Sequence, residues 1–377
     1  MESKLNKRLF IFMLILLVFP LVQYLYPTIR IAKLKGAIIE PKEVVLNFEN
    51  WNSGAFQDLS EEFIKAKNGL RTLWVRVYNQ WNYSVNNIIN PAFIVKGEND
   101  YLYTTGYIQS YLGENYLGDE KIDEIVKDLE VIRDTLLTKG CELIIAFAPS
   151  KVWYLPENIP LKYDLSTKQV SNYEYYSESV KRSAIPHIDF NKLFMNMKDT
   201  TQYPLYPKGG IHWSIYGGVV AADSISKLMA ATRSVAPIDY HIESTELTDK
   251  CKYTDADICE AMNLYYWDGQ HDVMAYPTID FRNHTDLPKP KVISISDSYY
   301  WTFIYTKVHE KAFAEGSQYW YYYKSIYGDG KKRGIETVDL RTAFDDTDFV
   351  LLLATEETLD RFPFGFIEAM KEEYKIQ

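Results

Sequence analysis

Cysteine is scarce in this chain, three residues in 377, and histidine is little commoner at six. No Cys/His grouping has zinc spacing, so no metal is expected, and no residue pattern calls for another cofactor. Cys141 sits in an apolar segment and reads as core. Cys251 and Cys259 lie eight apart in a polar stretch. They form one disulfide in an oxidising compartment or remain two thiols. Positive charge is also in short supply. Lys and Arg total 41 against 51 Asp and Glu, a formal net charge of −10. An acidic chain lacks the basic face that nucleic acid requires, which excludes that partner. Internal repeats and low-complexity tracts are missing too. With 47% apolar and 24% charged residues a buried core is attainable and global disorder is excluded. What is plentiful is aromatic: 31 Tyr, 18 Phe and 8 Trp. Such residues serve cores first, and they also suit a cleft that stacks on flat or sugar-like ligands.

Only one apolar run is long. Residues 9–26 read LFIFMLILLVFPLVQYLY, with Gln23 the one strongly polar residue and no charge. Eighteen helical residues cover roughly 27 Å, close to a bilayer core. Lys4, Lys7 and Arg8 precede the run, and no small-residue cleavage site follows it. Pro20 is tolerable inside a membrane helix. The expectation is an uncleaved single-pass anchor over residues 1–36, with the remainder, 37–377, forming an extracytoplasmic domain. Arg30, Lys33 and Lys35 lie beyond the span, so the balance of flanking charge leaves the orientation open.

Beyond the span, residues 37–57 read as an extended polar stalk or first strand. Leu59, Phe63, Leu70, Trp74, Val77, Tyr78 and Trp81 have helical spacing, with Asp58 or Ser60 as a cap. Phe93 to Val95 and Tyr101 to Tyr103 flank a Gly97-Glu98-Asn99-Asp100 turn, a hairpin signature. Ile122, Ile125, Val126, Leu129, Ile132 and Leu136 give a helix, and Leu143 to Ala148 a continuous apolar strand covered on both faces. Further strands are expected over 185–190, 292–296 and 349–353, with a helix opening at Ser214. Residues 236–290 are polar and irregular, a candidate insertion. The alternation predicts a three-layer α/β fold with a parallel sheet, whose sites lie at the strands' carboxyl ends.

Two short constellations carry chemistry. Ile295-Ser296-Asp297-Ser298 places a hydroxyl just past a buried strand, where backbone N–H groups can hold an oxyanion. Ser298 is otherwise a helix N-cap. Gly209-Gly210-Ile211-His212-Trp213-Ser214 sets an imidazole before a helix, where the dipole favours a neutral general base. His212 is otherwise structural. Together they supply the minimum for acyl transfer.

In chain order these segments resemble the SGNH-hydrolase-like acetyltransferases of the alginate O-acetylation type (AlgJ/AlgX-like). The likeness covers most of 45–370. Trp51 to Phe56, followed by a helix with Arg71 and Asn79, is similar to the family's amino-terminal segment. Lys96 to Tyr103 is similar to its "K-G-x-x-G-W-L-F" hairpin, and Pro149-Ser150-Lys151, with Tyr154 and Pro156 after it, to its "P-x-K" strand end. Gly210-Ile211-His212-Trp213 aligns with "D-x-H-W", Ser296-Asp297-Ser298 with "G-D-S", and the strand and turn over 348–357 with its last strand. His precedes Ser, a permuted order for SGNH proteins. The resemblance implies an SGNH-hydrolase-like sheet and a membrane-anchored, periplasmic protein of the cytoplasmic membrane. It further implies acetyl transfer to hydroxyls of an exported polysaccharide through a Ser298 acyl-enzyme, with His212 as base. The acetyl group would come from a polytopic membrane O-acyltransferase.

Two positions depart from the pattern. Gly210 stands where the family has the aspartate that orients the imidazole, and Ser296 where it has glycine. Asp189 and Asp199 are candidates to replace that acid, with Asp297 and Ser296 as support for the oxyanion loop. Tyr299, Tyr300, Trp301, Trp213 and Lys151 are candidate glycan contacts, and the run Tyr319 to Tyr323 either stacks on sugar or alternates in a strand. Three readings follow: acetyltransferase, carbohydrate esterase, or a degenerate glycan-binding scaffold of polysaccharide export. The site works as a Ser–His dyad, recruits another acid or is degenerate; a carboxylate is expected within about 3.2 Å of a His212 ring nitrogen, and its absence favours the dyad or the degenerate copy.

Overall fold

A computed structural model describes residues 2–36, 44–282, 287–328 and 330–376. They fall into two compact units. One comprises the chain up to Ala92 together with residues 259–268, and the other residues 93–258 and 269 onward. The segment behind the apolar run, up to Ala92, belongs to the same compact unit as that run.

In the first unit the apolar run forms a 24-residue helix, α1 (Glu2–Leu25). Its stretch from Lys4 to Leu25 is long and apolar enough to cross a membrane, and it is almost wholly exposed. Gln23 has a task at its end. Its side-chain oxygen accepts the backbone N–H groups of Thr28 and Ile29 (3.0 Å each), and its amide donates to the Ile29 carbonyl (2.6 Å). One polar side chain so closes the turn by which the chain leaves α1. Three helices follow: α2 (Phe48–Ser53), α3 (Ala55–Lys67) and α4 (Arg71–Asn86). The extended stalk expected over 37–57 is therefore helical from Phe48 onward, and residues 37–43 lie outside the described residues. The Asn47 side chain caps α2 by accepting from the Asn50 N–H (2.7 Å). Gly54, at φ +85°, turns the chain into α3, so neither Asp58 nor Ser60 is its cap.

Among the described residues the second unit holds eleven strands. A hairpin of β1 (Ile94–Lys96) and β2 (Leu102–Thr104) comes first. Then come β3 (Glu142–Ala148), β4 (His187–Asp189), β5 (Asp239–Thr248), β6 (Met274–Arg282), β7 (Val292–Ser296), β8 (Gln318–Tyr321), β9 (Ser325–Tyr327), β10 (Arg333–Gly334) and β11 (Phe349–Thr355). The main sheet has the order β10-β9-β8-β7-β11-β3-β4. From β8 to β4 all neighbours are parallel, and β9 and β10 add an antiparallel edge. β3 and β11 are buried throughout, as unbroken apolar strands must be when both faces are covered. Ile144, Ala146, Leu351 and Leu353 meet Phe190, Trp213, Ala222 and Phe303 on one face. Leu143, Ile145, Leu352 and Ala354 meet Ile122, Leu129, Leu136 and Phe366 on the other. The expected three layers follow from this alternation. β5 and β6 form a separate antiparallel ribbon, so within the 236–290 stretch, whose polarity reads as irregular, Asp239–Thr248 and Met274–Arg282 are paired strands. Ribbon strands solvated on one side carry polar residues without losing their pairing. Among the described residues no disulfide joins Cys251 to Cys259.

Candidate active site

Ser298 stands at the carboxyl end of β7, in a short 3-10 turn, Ser298–Tyr300. Asp297 caps that turn and binds it to the neighbouring strand. One carboxylate oxygen accepts the Tyr299 N–H (3.0 Å). The other accepts the Thr355 N–H (2.8 Å) and the Thr355 and Thr358 hydroxyls (2.9 Å each). Asp297 is fully buried with four donors, so it fixes the loop and is not an acid for His212. Ser298 is half-buried between buried neighbours.

His212 reaches the same edge on the loop before the helix Ile215–Thr232. Three devices hold that loop. The Lys151 ammonium, from the end of β3, donates to the carbonyls of Pro207 and Lys208 (3.0 Å each) and Gly210. The Tyr299 hydroxyl donates to the Ile211 carbonyl (2.9 Å). Trp213 is fully buried against Phe190, Phe194, Tyr299 and Phe303, and its indole N–H donates to the Thr302 hydroxyl (3.0 Å).

The imidazole lies between a hydroxyl and a carboxylate. His212 Nε2 is 2.7 Å from Ser298 Oγ, and Nδ1 is 2.6 Å from Asp257 Oδ2. A carboxylate only accepts, so Nδ1 carries the proton and Nε2 is free to accept from the serine. The other Asp257 oxygen accepts the Ile211 N–H (2.9 Å), which sets the carboxylate against the loop that carries the imidazole. Serine, imidazole and carboxylate thus form one hydrogen-bonded chain, the arrangement that turns a hydroxyl into a nucleophile.

Asp257 was not among the candidates. It opens the short helix Asp257–Ala261, 45 positions beyond His212, in the stretch that reads as a polar insertion. The one signal available was the close pair Asp255 and Asp257 ahead of an apolar Ile258. The two acids proposed from sequence are elsewhere. Asp189 caps the helix Phe190–Met197 and is held by the hydroxyls of Tyr173 and Ser177 (2.9 Å each) and by Lys192. These donors keep its pKa low despite its burial. Asp199 lies just beyond that helix, where its charge acts on Tyr154, and the carboxylate against His212 Nδ1 is that of Asp257.

Four of the five expected glycan contacts are core instead. Tyr299, Tyr300 and Trp213 are fully buried, and Lys151 is 1% exposed with its ammonium spent on carbonyls. The pattern that marked them, aromatic residues beside the nucleophile, is also the pattern of a packed strand end. Trp301 alone is half-exposed, and it borders a cavity of about 600 Å³ with Ile304, His309 and Tyr327. Ser296 is fully buried, its hydroxyl donating to the Asp297 carbonyl (3.2 Å).

In the aromatic run, Tyr319 and Trp320 are buried in β8, whereas Tyr322 leaves the strand at φ +51° and stands beside Ser298. Burial holds the Tyr322 phenol well above its ordinary pKa, so it remains a hydrogen-bond donor. It borders a second cleft, about 520 Å³, with Lys324, Arg361 and Phe364. Behind the triad, burial pushes the Asp255 carboxyl up to about 7, and the Asp257 carboxylate adds to the shift.

A nucleophile at one strand end, with its base on a preceding loop over the same parallel sheet, defines a three-layer SGNH-hydrolase-like protein. Residues 94–254 match the family described as SGNH hydrolase-like domain, acetyltransferase AlgX. The match contains His212 and ends before Asp257 and Ser298. No curated protein is significantly similar in sequence. Among solved structures, the O-acetyltransferase domain of Pseudomonas putida AlgJ is 16% identical with a TM-score of 0.47, over 74% of this chain and 98% of that one. Bacillus cereus PatB1 is 10% identical with a TM-score of 0.45, over 72% and 98%. Pseudomonas aeruginosa AlgX is 14% identical with a TM-score of 0.39, over 70% of this chain and 55% of that one.

Proposed function

We propose that the chain is a membrane-anchored O-acetyltransferase that acts outside the cytoplasm on hydroxyls of an exported polysaccharide. The observation that supports this reading is the unbroken chain from Ser298 through His212 to Asp257 beside an open cleft. Ser298 Oγ attacks the acyl carbonyl while His212 Nε2 takes its proton. Asp257 stabilises the imidazolium that forms. The tetrahedral oxyanion is met by the Tyr322 hydroxyl, since the Tyr299 N–H is already committed to Asp297. The carbonyl re-forms, the leaving group departs with the proton from His212, and acetyl-Ser298 remains. A sugar hydroxyl then attacks the acetyl carbon and gives its proton to His212. Collapse of that intermediate releases the sugar ester, and Ser298 Oγ recovers the proton.

In keeping with the resemblance, α1 anchors the chain in the cytoplasmic membrane, and a polytopic O-acyltransferase delivers the acetyl group. The degenerate scaffold reading was motivated by the missing acid at Gly210, and Asp257 removes that motive. Esterase and transferase differ only in the acceptor. The test is to load Ser298 from an activated acetyl ester and add oligosaccharides. Sugar esters that appear as acetyl-Ser298 decays support transfer, and a decay unaffected by any sugar, yielding only acetate, makes the protein an esterase.

A further inference from the structure

α4 is built the wrong way round for a helix of a soluble unit. Its buried positions are asparagines, Asn79 and Asn82, with the Asn79 amide donating to the Met262 carbonyl (2.8 Å). Its exposed large apolar and aromatic residues are Trp74 (52%), Val77 (45%), Tyr78 (64%), Trp81 (61%) and Val85 (59%), with Ser84 and Asn86 exposed at its end. The apolar and aromatic ones recur at i, i+3, i+4, i+7 and i+11, one continuous face. A contiguous apolar face of this kind marks a contact with a membrane or a partner.

The contacts of α4 within its own unit identify which. The corner between α3 and α4 is fastened to α1, where the Gly69 N–H donates to the Pro20 carbonyl (3.3 Å). A Cβ at Gly69 would stand 2.4 Å from the Tyr24 backbone nitrogen, so the corner touches the α1 backbone itself. The Arg76 guanidinium of α4 then donates to the carbonyls of Lys33 (3.0 Å) and Leu264 (3.4 Å), which braces α4 against the chain leaving α1. Pro20 lies five residues before the end of α1 at Leu25. At about 1.5 Å per residue this is a depth of roughly 7–8 Å, the level at which interfacial helices sit, about 5–10 Å into the headgroup and acyl boundary. Tyr24 and Tyr26 are exposed at the same end of α1, as in an aromatic belt.

We infer that α4 is an interfacial helix, with its Trp74–Trp81 face buried in the bilayer leaflet reached by the carboxyl end of α1. The inference rests on α1 being a membrane anchor. Trp and Tyr favour the bilayer surface because their rings are apolar and their N–H or O–H ends remain hydrated.

None of the eight tryptophans lies in α1, so bromolipid quenching of tryptophan cannot come from the span itself. The full chain and its Trp74→Phe/Trp81→Phe variant are placed in nanodiscs of phosphatidylcholine and phosphatidylglycerol, with or without bromine near the headgroup end of the acyl chains. The emission difference between the two proteins isolates Trp74 and Trp81. It is expected to shrink several-fold in the brominated discs. An equal difference in both lipids overturns the inference and leaves the face to a membrane-protein partner. Carbonate extraction of native membranes tests the anchor separately. A chain that resists extraction but shows no quenching refutes only the interfacial helix, and a chain washed off by carbonate refutes both.

Discussion

Gly210 stands where the resembling family has an aspartate, and the space around it explains the change. A Cβ there would come within 2.4 Å of the Thr254 carbonyl oxygen and 2.9 Å of the Asp255 carbonyl carbon. The segment that brings Asp257 to the imidazole has filled the position from which the family's acid would reach it. Gly210→Ala should therefore destabilise the protein by roughly 1–3 kcal/mol, as overpacking does, visible as a lower melting temperature. Asp255, in the same turn, has a carboxyl raised from 3.8 to about 7. The folded state holds this proton at pH values where the unfolded state has lost it. Stability from this group therefore falls as pH rises from about 4 to about 7. Asp255→Asn should flatten that decline, so that its melting temperature gains most over wild type above pH 7, an advantage on the order of a few kcal/mol. An unchanged pH profile would mean that Asp255 is not the titrating group.

At the scale of elements, the site is where three strand ends meet. β7 supplies Ser298, β11 supplies the Thr355 anchor for Asp297, and β3 supplies Lys151. Lys151 gathers three carbonyls of the His212 loop; its removal takes this donor from those of Pro207 and Gly210, while the Lys208 carbonyl keeps the Leu102 N–H (2.9 Å). Lys151→Met should cost about 3 kcal/mol or more and slow labelling of Ser298 by an activated phosphonate. Labelling at the wild-type rate would show that the loop holds its shape without the ammonium. The strands and the Ser298 and His212 turns were legible because unbroken apolar runs and glycine-flanked turns are local signals. Asp257 was not, because its partner is 45 residues away and its own stretch has no periodicity. Lys151 and Tyr299 were read as ligand contacts because sequence marks proximity to a strand end but not the direction in which a side chain points. In α4 the helical spacing was legible, and the side it faces was not, because an apolar stripe is the same whether it meets core or lipid.

The whole molecule couples an exposed apolar span and its attendant helices to an α/β unit that holds all three residues of the site. Its aromatic excess fits that plan, since most of the aromatics pack the two faces of the sheet and a few border clefts. The central claim is that Ser298, His212 and Asp257 act as one nucleophilic unit. Its most direct test is intact-mass spectrometry of the protein exposed to a serine-directed fluorophosphonate. A single adduct on Ser298 is expected, absent in Ser298→Ala and about 10³–10⁴-fold slower in Asp257→Asn, with Asp189→Asn and Asp199→Asn at the wild-type rate. Undiminished labelling of Ser298→Ala, or of Asp257→Asn, would contradict it.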